Sequence, residues 1–261
     1  MSRETVKAKR ERAEEILRRL EEDFGEVHIE LDFQTPLELL VAVILSAQCT
    51  DKRVNMVTPA LFHAYPDAAA YARAEPEELE PYINSLGLFR AKAKNLSKLG
   101  RMLVEEHAGE VPRTRAELAQ LPGVGAKTAG VVTMHLGGEH AFPVDTHVGR
   151  LARRMAFTRR LDPDRVEEDL QKLFPSERWM VGHQLLVWHG RRTCMARAPA
   201  CDRCVVEALC PKVGVVNAKV RTQAAKNRAA SGAGVGAKAR ASRSRTKRPK
   251  GLTLRPVNDV D

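Results

Sequence analysis

Leu121-Pro-Gly-Val-Gly-Ala-Lys127-Thr-Ala129 lies between two stretches with helical spacing, residues 115–120 and 126–136. Gly123 and Gly125 permit a tight turn that leaves backbone N–H groups exposed, and the second helix begins immediately afterwards. Backbone donors together with the positive end of a helix form a site for phosphate groups. The stretch therefore predicts a helix–hairpin–helix element, which holds a nucleic-acid backbone without reading its bases.

Helical spacing continues on both sides of this turn. Residues 27–33 alternate between apolar and polar side chains, but this segment is short and isolated. Aromatic residues make up only 5% of the chain, and its apolar residues are mostly Leu, Val and Ala, which favour helices. The pattern predicts an all-α fold with helices over residues 6–24, 37–47, 54–63, 76–83, 91–107, 115–120, 126–136, 144–155, 165–174 and 177–189.

The charge of the chain is concentrated at its C-terminal end. The formal net charge is +10, and residues 215–261 carry 12 Lys and Arg against 2 Asp and Glu, so the remainder is formally neutral. This tail has no Phe, Trp or Tyr and is rich in Ala, Gly and Ser, which predicts a disordered basic segment. We expect it to contact phosphates without sequence preference; the alternative is a solubilising extension without a binding role.

Hydropathy and cysteine usage both predict a cytoplasmic protein. No apolar run reaches the roughly 18 residues of a membrane span, and the first residues are polar and charged, unlike a signal peptide. Disulfides are rare in that compartment, yet four of the five cysteines fall within 17 residues. These four are Cys194, Cys201, Cys204 and Cys210, in the spacing C-x6-C-x2-C-x5-C.

Such a group of thiolates predicts a metal centre. A zinc site usually has two short cysteine pairs, and only Cys201 and Cys204 form one here. A single compact run favours an iron–sulfur cluster, although its spacing differs from that of ferredoxins. Zinc and unliganded thiols remain as alternatives at this point.

Lys127 and Asp145 are candidate catalytic residues. Asp145 follows Lys127 by 18 residues, and Gly137-Gly138 lies between them, so the chain could reverse and bring the carboxylate beside the amine. An amine and a carboxylate at one DNA-facing site suit chemistry at a sugar. Two plainer interpretations remain: Lys127 as a phosphate contact, and Asp145 as the cap of a helix beginning at Thr146.

The motifs together resemble the endonuclease III family of the helix–hairpin–helix DNA glycosylase superfamily. The resemblance covers approximately residues 6–211. It is carried by Leu45-Ser-Ala-Gln48-Cys-Thr-Asp51, by the hairpin with Lys127, by Val144-Asp145-Thr-His147 and by the four-cysteine loop. Two positions differ from the family: Cys49 stands where Ala is usual, which suggests a packing change, and Gly149 stands where bulkier residues are common, which could open the pocket.

The resemblance implies two helical domains flanking a DNA-binding cleft. Residues 29–139 would form a helical barrel domain with the hairpin. Residues 1–28 and 140–214 would form the cluster domain, and residues 215–261 the disordered basic tail. The four cysteines would bind a [4Fe–4S] cluster.

The resemblance also implies a bifunctional DNA glycosylase and abasic-site lyase of base excision repair. Lys127 would attack the sugar of an extruded oxidised pyrimidine, with Asp145 as its partner, and the resulting Schiff base would lead to β-elimination 3′ to the abasic site. Its partner would be double-stranded DNA containing oxidised pyrimidines or abasic sites, bound by a monomer. Gln48 would fill the vacated stack and Leu88 would wedge the opposite strand. The expected DNA contacts are Gln48, Leu88, Gly123, Gly125, His147 and Arg150.

Other interpretations of these motifs remain possible. By position alone, Gln48 could be a polar residue at a helix end and Leu88 a core residue. A monofunctional adenine-mismatch glycosylase would share Asp145 and the cluster but would lack Lys127 and would carry a C-terminal recognition domain. A non-catalytic DNA-binding module with a structural metal would bind DNA without cutting it.

Overall fold

A computed structural model of the chain describes residues 4–215. All regular structure in this range is helical, so the all-α prediction is confirmed. The predicted basic tail lies outside the described residues, apart from Val215. The α-helices are α1 (Val6–Phe24), α2 (Pro36–Ser46), α3 (Asp51–Ala64), α4 (Ala68–Arg73), α5 (Pro76–Ile83), α6 (Phe89–His107), α7 (Arg115–Leu118), α8 (Ala126–His135), α9 (Thr146–Arg154), α10 (Pro163–Leu173) and α11 (Trp179–Arg192). Short 3₁₀ helices span Ser176–Arg178, Cys201–Arg203 and Glu207–Leu209.

The sequence-based helices match these bounds within a few residues, but α4 was not predicted. The Asp67 carboxylate accepts a hydrogen bond from the Ala70 amide at 2.7 Å and so caps this six-residue helix. An aspartate followed by three alanines was the available signal. Its buried face is formed by Ala68 and Tyr71.

The first of two hydrophobic cores surrounds α2. Thr35 caps this helix, Pro36 occupies its first turn, and every side chain from Leu39 to Leu45 is buried. A helix that is apolar on all sides must be covered on all sides, and the other buried members of this core extend from Leu31 to Val132.

The second core joins the two ends of the described chain. The apolar face of α1, formed by Ala13, Ile16, Leu17 and Leu20, packs with α9, α10 and α11. The buried members of this core run from Phe142 to Val206 in the later part of the chain. Two helical groups were predicted, and two cores are present.

Ion pairs link residues of the two groups. Arg115 of α7 donates to both carboxylate oxygens of Glu167 on α10, at 2.8 and 2.9 Å, and Glu167 is buried. Arg191 of α11 pairs with Asp51 at 2.6 Å and Arg192 with Glu30 at 2.9 Å. The bidentate, partly buried pair between Arg115 and Glu167 fixes the position of α7 relative to α10.

Residues 4–215 contain no helix with the length and apolar character needed to cross a bilayer.

Candidate active site

The hairpin before α8 uses its two glycines differently. Gly123 has φ +81°, a conformation that favours glycine, and an added Cβ would lie 3.0 Å from the Asn95 side chain. Gly125 caps α8 with φ −93°, which any residue can adopt, so the turn itself requires glycine only at position 123. No atom lies within 4 Å of a Cβ added at Gly125, so the space in front of the helix is open. A phosphate group could therefore approach the free N–H groups of α8.

Lys127 lies in the first turn of α8 and lines a cavity of about 240 Å³. Asp145 lines the same cavity, although it lies beyond α8 in the chain. Asp145 also caps α9, because its Oδ1 accepts a hydrogen bond from the Val148 amide at 2.7 Å. The capping interpretation of Asp145 is thus correct, and it does not exclude a second role in the cavity.

Three histidines and two glutamines also line this cavity: His28, His135, His183, Gln48 and Gln184. Burial lowers the pKa of the His183 imidazole to about 4, and its Nδ1 lies 2.8 Å from the Pro143 carbonyl oxygen. The charges of Asp145 and Lys127 act on the same imidazole in opposite directions. His183 is therefore neutral near pH 7. The polar side chains lining the cavity include Gln48, Lys127, His135, Asp145, His183 and Gln184.

Sequence reasoning missed His135, His183 and Gln184. His183 and Gln184 are two adjacent polar residues in a largely apolar segment of α11, and all but a few percent of each is buried. Buried polar residues of this kind are a usable signal for a site. Their convergence with His135 was not visible, because it depends on how α8 packs near α11.

Gln48 and Leu88 both have left-handed backbones, with φ 58° and φ 59°. Such conformations cost a non-glycine residue about 1–2 kcal/mol and concentrate at functional positions. Leu88 is 60% exposed, so the interpretation of it as a core residue is wrong. Gln48 is exposed and lines the cavity, and its carbonyl oxygen lies near Gly87, which adjoins Leu88. The two predicted inserting residues therefore lie on neighbouring segments.

A buried lysine holds the segment that carries Gln48. Lys92 of α6 donates to the carbonyl oxygens of Leu45 and Ala47 at 2.8 and 2.9 Å, and it is only 4% exposed. These carbonyls lie at the C-terminal end of α2, where a cation is favourable. The Cys49 thiol accepts a third hydrogen bond from the same amine at 3.2 Å, so this unusual residue is part of the support.

His147, Arg150 and Gly149 lie on α9, outside the cavity lining. The Arg150 guanidinium donates to the carbonyl oxygens of Gly190 and Cys194, which ties α9 to the cysteine loop. One of its nitrogens lies 3.2 Å from His147 Nδ1. Gly149 is buried against Val144 and Arg153, so it does not open the cavity as the sequence suggested.

The four cysteines of the loop line a second, smaller cavity. Arg154, 9% exposed, donates to the Cys194 sulfur at 3.2 Å and to three carbonyl oxygens of residues 194–196. No carboxylate of residues 4–215 forms an ion pair with it. A buried cation beside four thiols fits an anionic, thiolate-ligated centre.

Comparison with known proteins agrees with this geometry. Residues 41–176 match the family model of the HhH-GPD superfamily base excision DNA repair proteins. Endonuclease III of Synechocystis sp. is 50% identical over 205 residues, which cover 78% of this chain and 94% of that protein.

Two solved structures share the fold. A trapped endonuclease III–DNA covalent intermediate, in an estranged-adenine complex, has a TM-score of 0.74 and 43% identity and covers 78% of this chain and 96% of that one. A non-covalent endonuclease III–DNA complex has a TM-score of 0.75 and 42% identity and covers 82% and 98%.

The helical fold, the family model and the relatives together define a base-excision enzyme, a DNA N-glycosylase and abasic-site lyase. Within the HhH-GPD superfamily, the chain belongs to the endonuclease III family.

Proposed function

We propose that this enzyme removes oxidised pyrimidines from double-stranded DNA, with Lys127 as nucleophile and Asp145 as its carboxylate partner. The observation that carries the proposal is that both side chains line one cavity, beside the open N-terminus of α8. A covalent protein–DNA intermediate has been trapped for a relative of the same fold. A non-catalytic DNA-binding module would not need an amine and a carboxylate in one cavity.

The chemistry follows from these two groups. The neutral Lys127 amine attacks C1′ of the extruded nucleotide, and the bond from C1′ to the base breaks as the base leaves with the electron pair. Asp145 stabilises the positive charge that develops on the sugar and accepts the proton released by the amine. The C1′–O4′ bond then breaks as the Lys127 nitrogen forms a double bond to C1′, and a proton passes to O4′, which leaves a Schiff base. Water takes a proton from C2′, and the electron pair of that C–H bond expels the 3′ phosphate by β-elimination.

DNA is held on both sides of this cavity. Gly123 and Gly125 admit a phosphate to the α8 N-terminus, while Gln48 enters the gap left by the extruded nucleotide and Leu88 wedges the opposite strand. The exposure and left-handed backbones of Gln48 and Leu88 support these roles. We assign His147 and Arg150 to the DNA contact at α9.

The residues that would hold a [4Fe–4S] cluster are Cys194, Cys201, Cys204 and Cys210. Within residues 4–215, no three His, Cys, Asp or Glu side chains converge on one ion position, although all four cysteines line the same cavity. Four thiols around one cavity fit a cluster, which binds each cysteine to a different iron. When bound, the cluster would supply a rigid anionic core for the loop that Arg150 and Arg154 hold.

The cluster proposal is tested by absorbance and iron analysis of the purified protein. We expect a brown protein with a broad absorbance band at about 400 nm and four irons per chain. A colourless protein that contains one zinc per chain would contradict the assignment.

The chain is divided into two helical domains and a tail. We assign the domain boundaries to residues 28/29 and 139/140, consistent with the limits of the two cores. The enzyme acts as a monomer in the bacterial cytoplasm, associated with the nucleoid.

Borohydride trapping on a duplex with one abasic site tests the nucleophile. Borohydride reduces a Schiff base to a stable adduct, so the enzyme should become covalently attached to the DNA. Lys127→Ala should abolish the adduct while retaining most of the binding in a gel-shift assay. Lys98→Ala, which removes an exposed lysine of α6, is the matched control and should trap normally.

Continued trapping by Lys127→Ala at the rate of the original enzyme would assign the attacking amine elsewhere. Absence of trapping in the original enzyme, with intact DNA binding, would favour the non-catalytic module.

A further inference from the structure

The Gln184 side chain in the active-site cavity has one amide atom that is paired and one that is not. Its nitrogen lies 2.8 Å from His135 Nε2, so α11 contacts α8 at this point. Its oxygen is buried and has no hydrogen-bond partner among the described residues. Gln184 is only 6% exposed and lines the cavity that contains Lys127 and Asp145.

The direction of the hydrogen bonds fixes which atom is free. The Val131 carbonyl oxygen lies 2.8 Å from His135 Nδ1 and can only accept, so Nδ1 carries a hydrogen. Burial lowers the pKa of His135, so the ring is neutral and Nε2 has a lone pair. The Gln184 NH₂ group therefore donates to His135, and rotating the amide would place its oxygen against that lone pair.

An unpaired buried acceptor destabilises the folded protein, and such atoms are uncommon. Among residues 4–215 the buried side-chain atoms without a partner are Glu14 Oε1, Thr58 Oγ1, Tyr71 OH, Gln184 Oε1 and His189 Nδ1. Of these residues, Gln184 is the one that lines the cavity with Lys127 and Asp145. A polar atom that is unfavourable for folding, on a side chain that lines the reaction site, suggests that a hydrogen-bond donor of the substrate pairs with it.

We propose that Gln184 Oε1 accepts a hydrogen bond from the Watson–Crick edge of the extruded base, and that His135 is the positioning residue that orients the amide. This inference rests on the proposed function. Thymine-derived lesions present N3–H on that edge, and cytosine-derived lesions present an exocyclic NH₂ group. One acceptor at Gln184 Oε1 can therefore pair with a donor of either kind of pyrimidine lesion.

Comparison of two substrates tests the proposal. Gln184→Leu removes the acceptor but keeps much of the volume. On a duplex with one 5,6-dihydrothymine, kcat/KM for base release should fall about tenfold, as expected for the loss of one buried hydrogen bond. On a duplex with a preformed abasic site there is no base to contact, so strand cutting should change by less than about twofold.

A matched control is Gln171→Leu, which makes the same chemical change on α10, where Gln171 donates to Glu167 outside the cavity. Gln171→Leu should lower base release and abasic strand cutting by the same small factor. His135→Leu removes the hydrogen bond that orients the Gln184 amide but keeps the amide itself. Base release should therefore fall by a smaller factor than in Gln184→Leu. Cutting of the abasic duplex should again change little.

A second measurement uses the unaltered enzyme. N3-methyl-5,6-dihydrothymine lacks the N3–H donor, so its release should be slower than that of 5,6-dihydrothymine in the original enzyme. In Gln184→Leu the difference between the two bases should shrink.

The outcomes separate the two proposals. Equal losses on the base and abasic substrates in Gln184→Leu, or an unchanged effect of methylation in that variant, would overturn the role of Gln184. Failure of the original enzyme to cut the abasic duplex would instead overturn the proposed function.

Discussion

Asp145 combines a structural and a proposed chemical role, and one substitution separates them. Asn caps helices about as well as Asp, so Asp145→Asn should keep the hydrogen bond to the Val148 amide and change the melting temperature little. The variant loses the negative charge, so base release should slow by about 100-fold or more. Single-turnover base release and thermal unfolding measure the two effects.

Asp145→Ala is the control for this prediction, because it removes both the cap and the charge. It should lose stability by about 1 kcal/mol in addition to losing activity. Normal base release by Asp145→Asn would show that the carboxylate charge is not used.

The sequence predicted that Lys127 and Asp145 lie close together, and both line one cavity, but it missed the residues around them. Lys127 and Asp145 each lie in a short motif that can be recognised from a few consecutive residues. Gln184 and His135 meet only because α8 and α11 pack together, and no spacing rule links residues so far apart. The exposure of Leu88 was also beyond sequence pattern, because an isolated leucine is more often buried.

Helices α6 and α9 each contain a glycine, and the two should respond oppositely to alanine. A Cβ at Gly149 would lie 3.4 Å from the flexible end of Arg153, an ordinary contact, so Gly149→Ala should stabilise the protein by about 0.5–1 kcal/mol. A Cβ at Gly100 would lie 2.4 Å from the Ala72 amide nitrogen, so Gly100→Ala should destabilise it by about 3 kcal/mol.

Urea unfolding of both variants checks this contrast. A destabilised Gly149→Ala would mean that α9 is packed more tightly against Val144 than the structure shows. Gly100 also lets α6 approach the backbone of α4 closely, which a pattern search along one helix cannot detect.

The whole molecule combines a formally neutral body with a basic tail, an arrangement read from the sequence alone. Deleting residues 217–261 should weaken binding to undamaged duplex DNA and should flatten the dependence of log Kd on log salt concentration, because fewer counterions are released. Fluorescence anisotropy at several salt concentrations measures the slope.

The matched control replaces the Lys and Arg residues of 217–261 with Ser and keeps the length. If the tail acts by charge, this variant should behave like the deletion. An unchanged salt slope in both would remove the tail from the account of binding.

The second core has a consequence for synthesis of the protein. The nascent chain makes α1 first, but the partners of Ile16 and Leu17 on α11 follow more than a hundred and fifty residues later. At typical ribosomal rates the apolar face of α1 waits roughly 10 to 30 s for them. The core around α2 can close sooner, since its buried members lie between Leu31 and Val132 and precede α11 in the chain. Until α11 has been translated, the nascent chain can therefore contain a folded first core and an α1 helix whose apolar face is still exposed. Chaperones would recognise such an exposed apolar face.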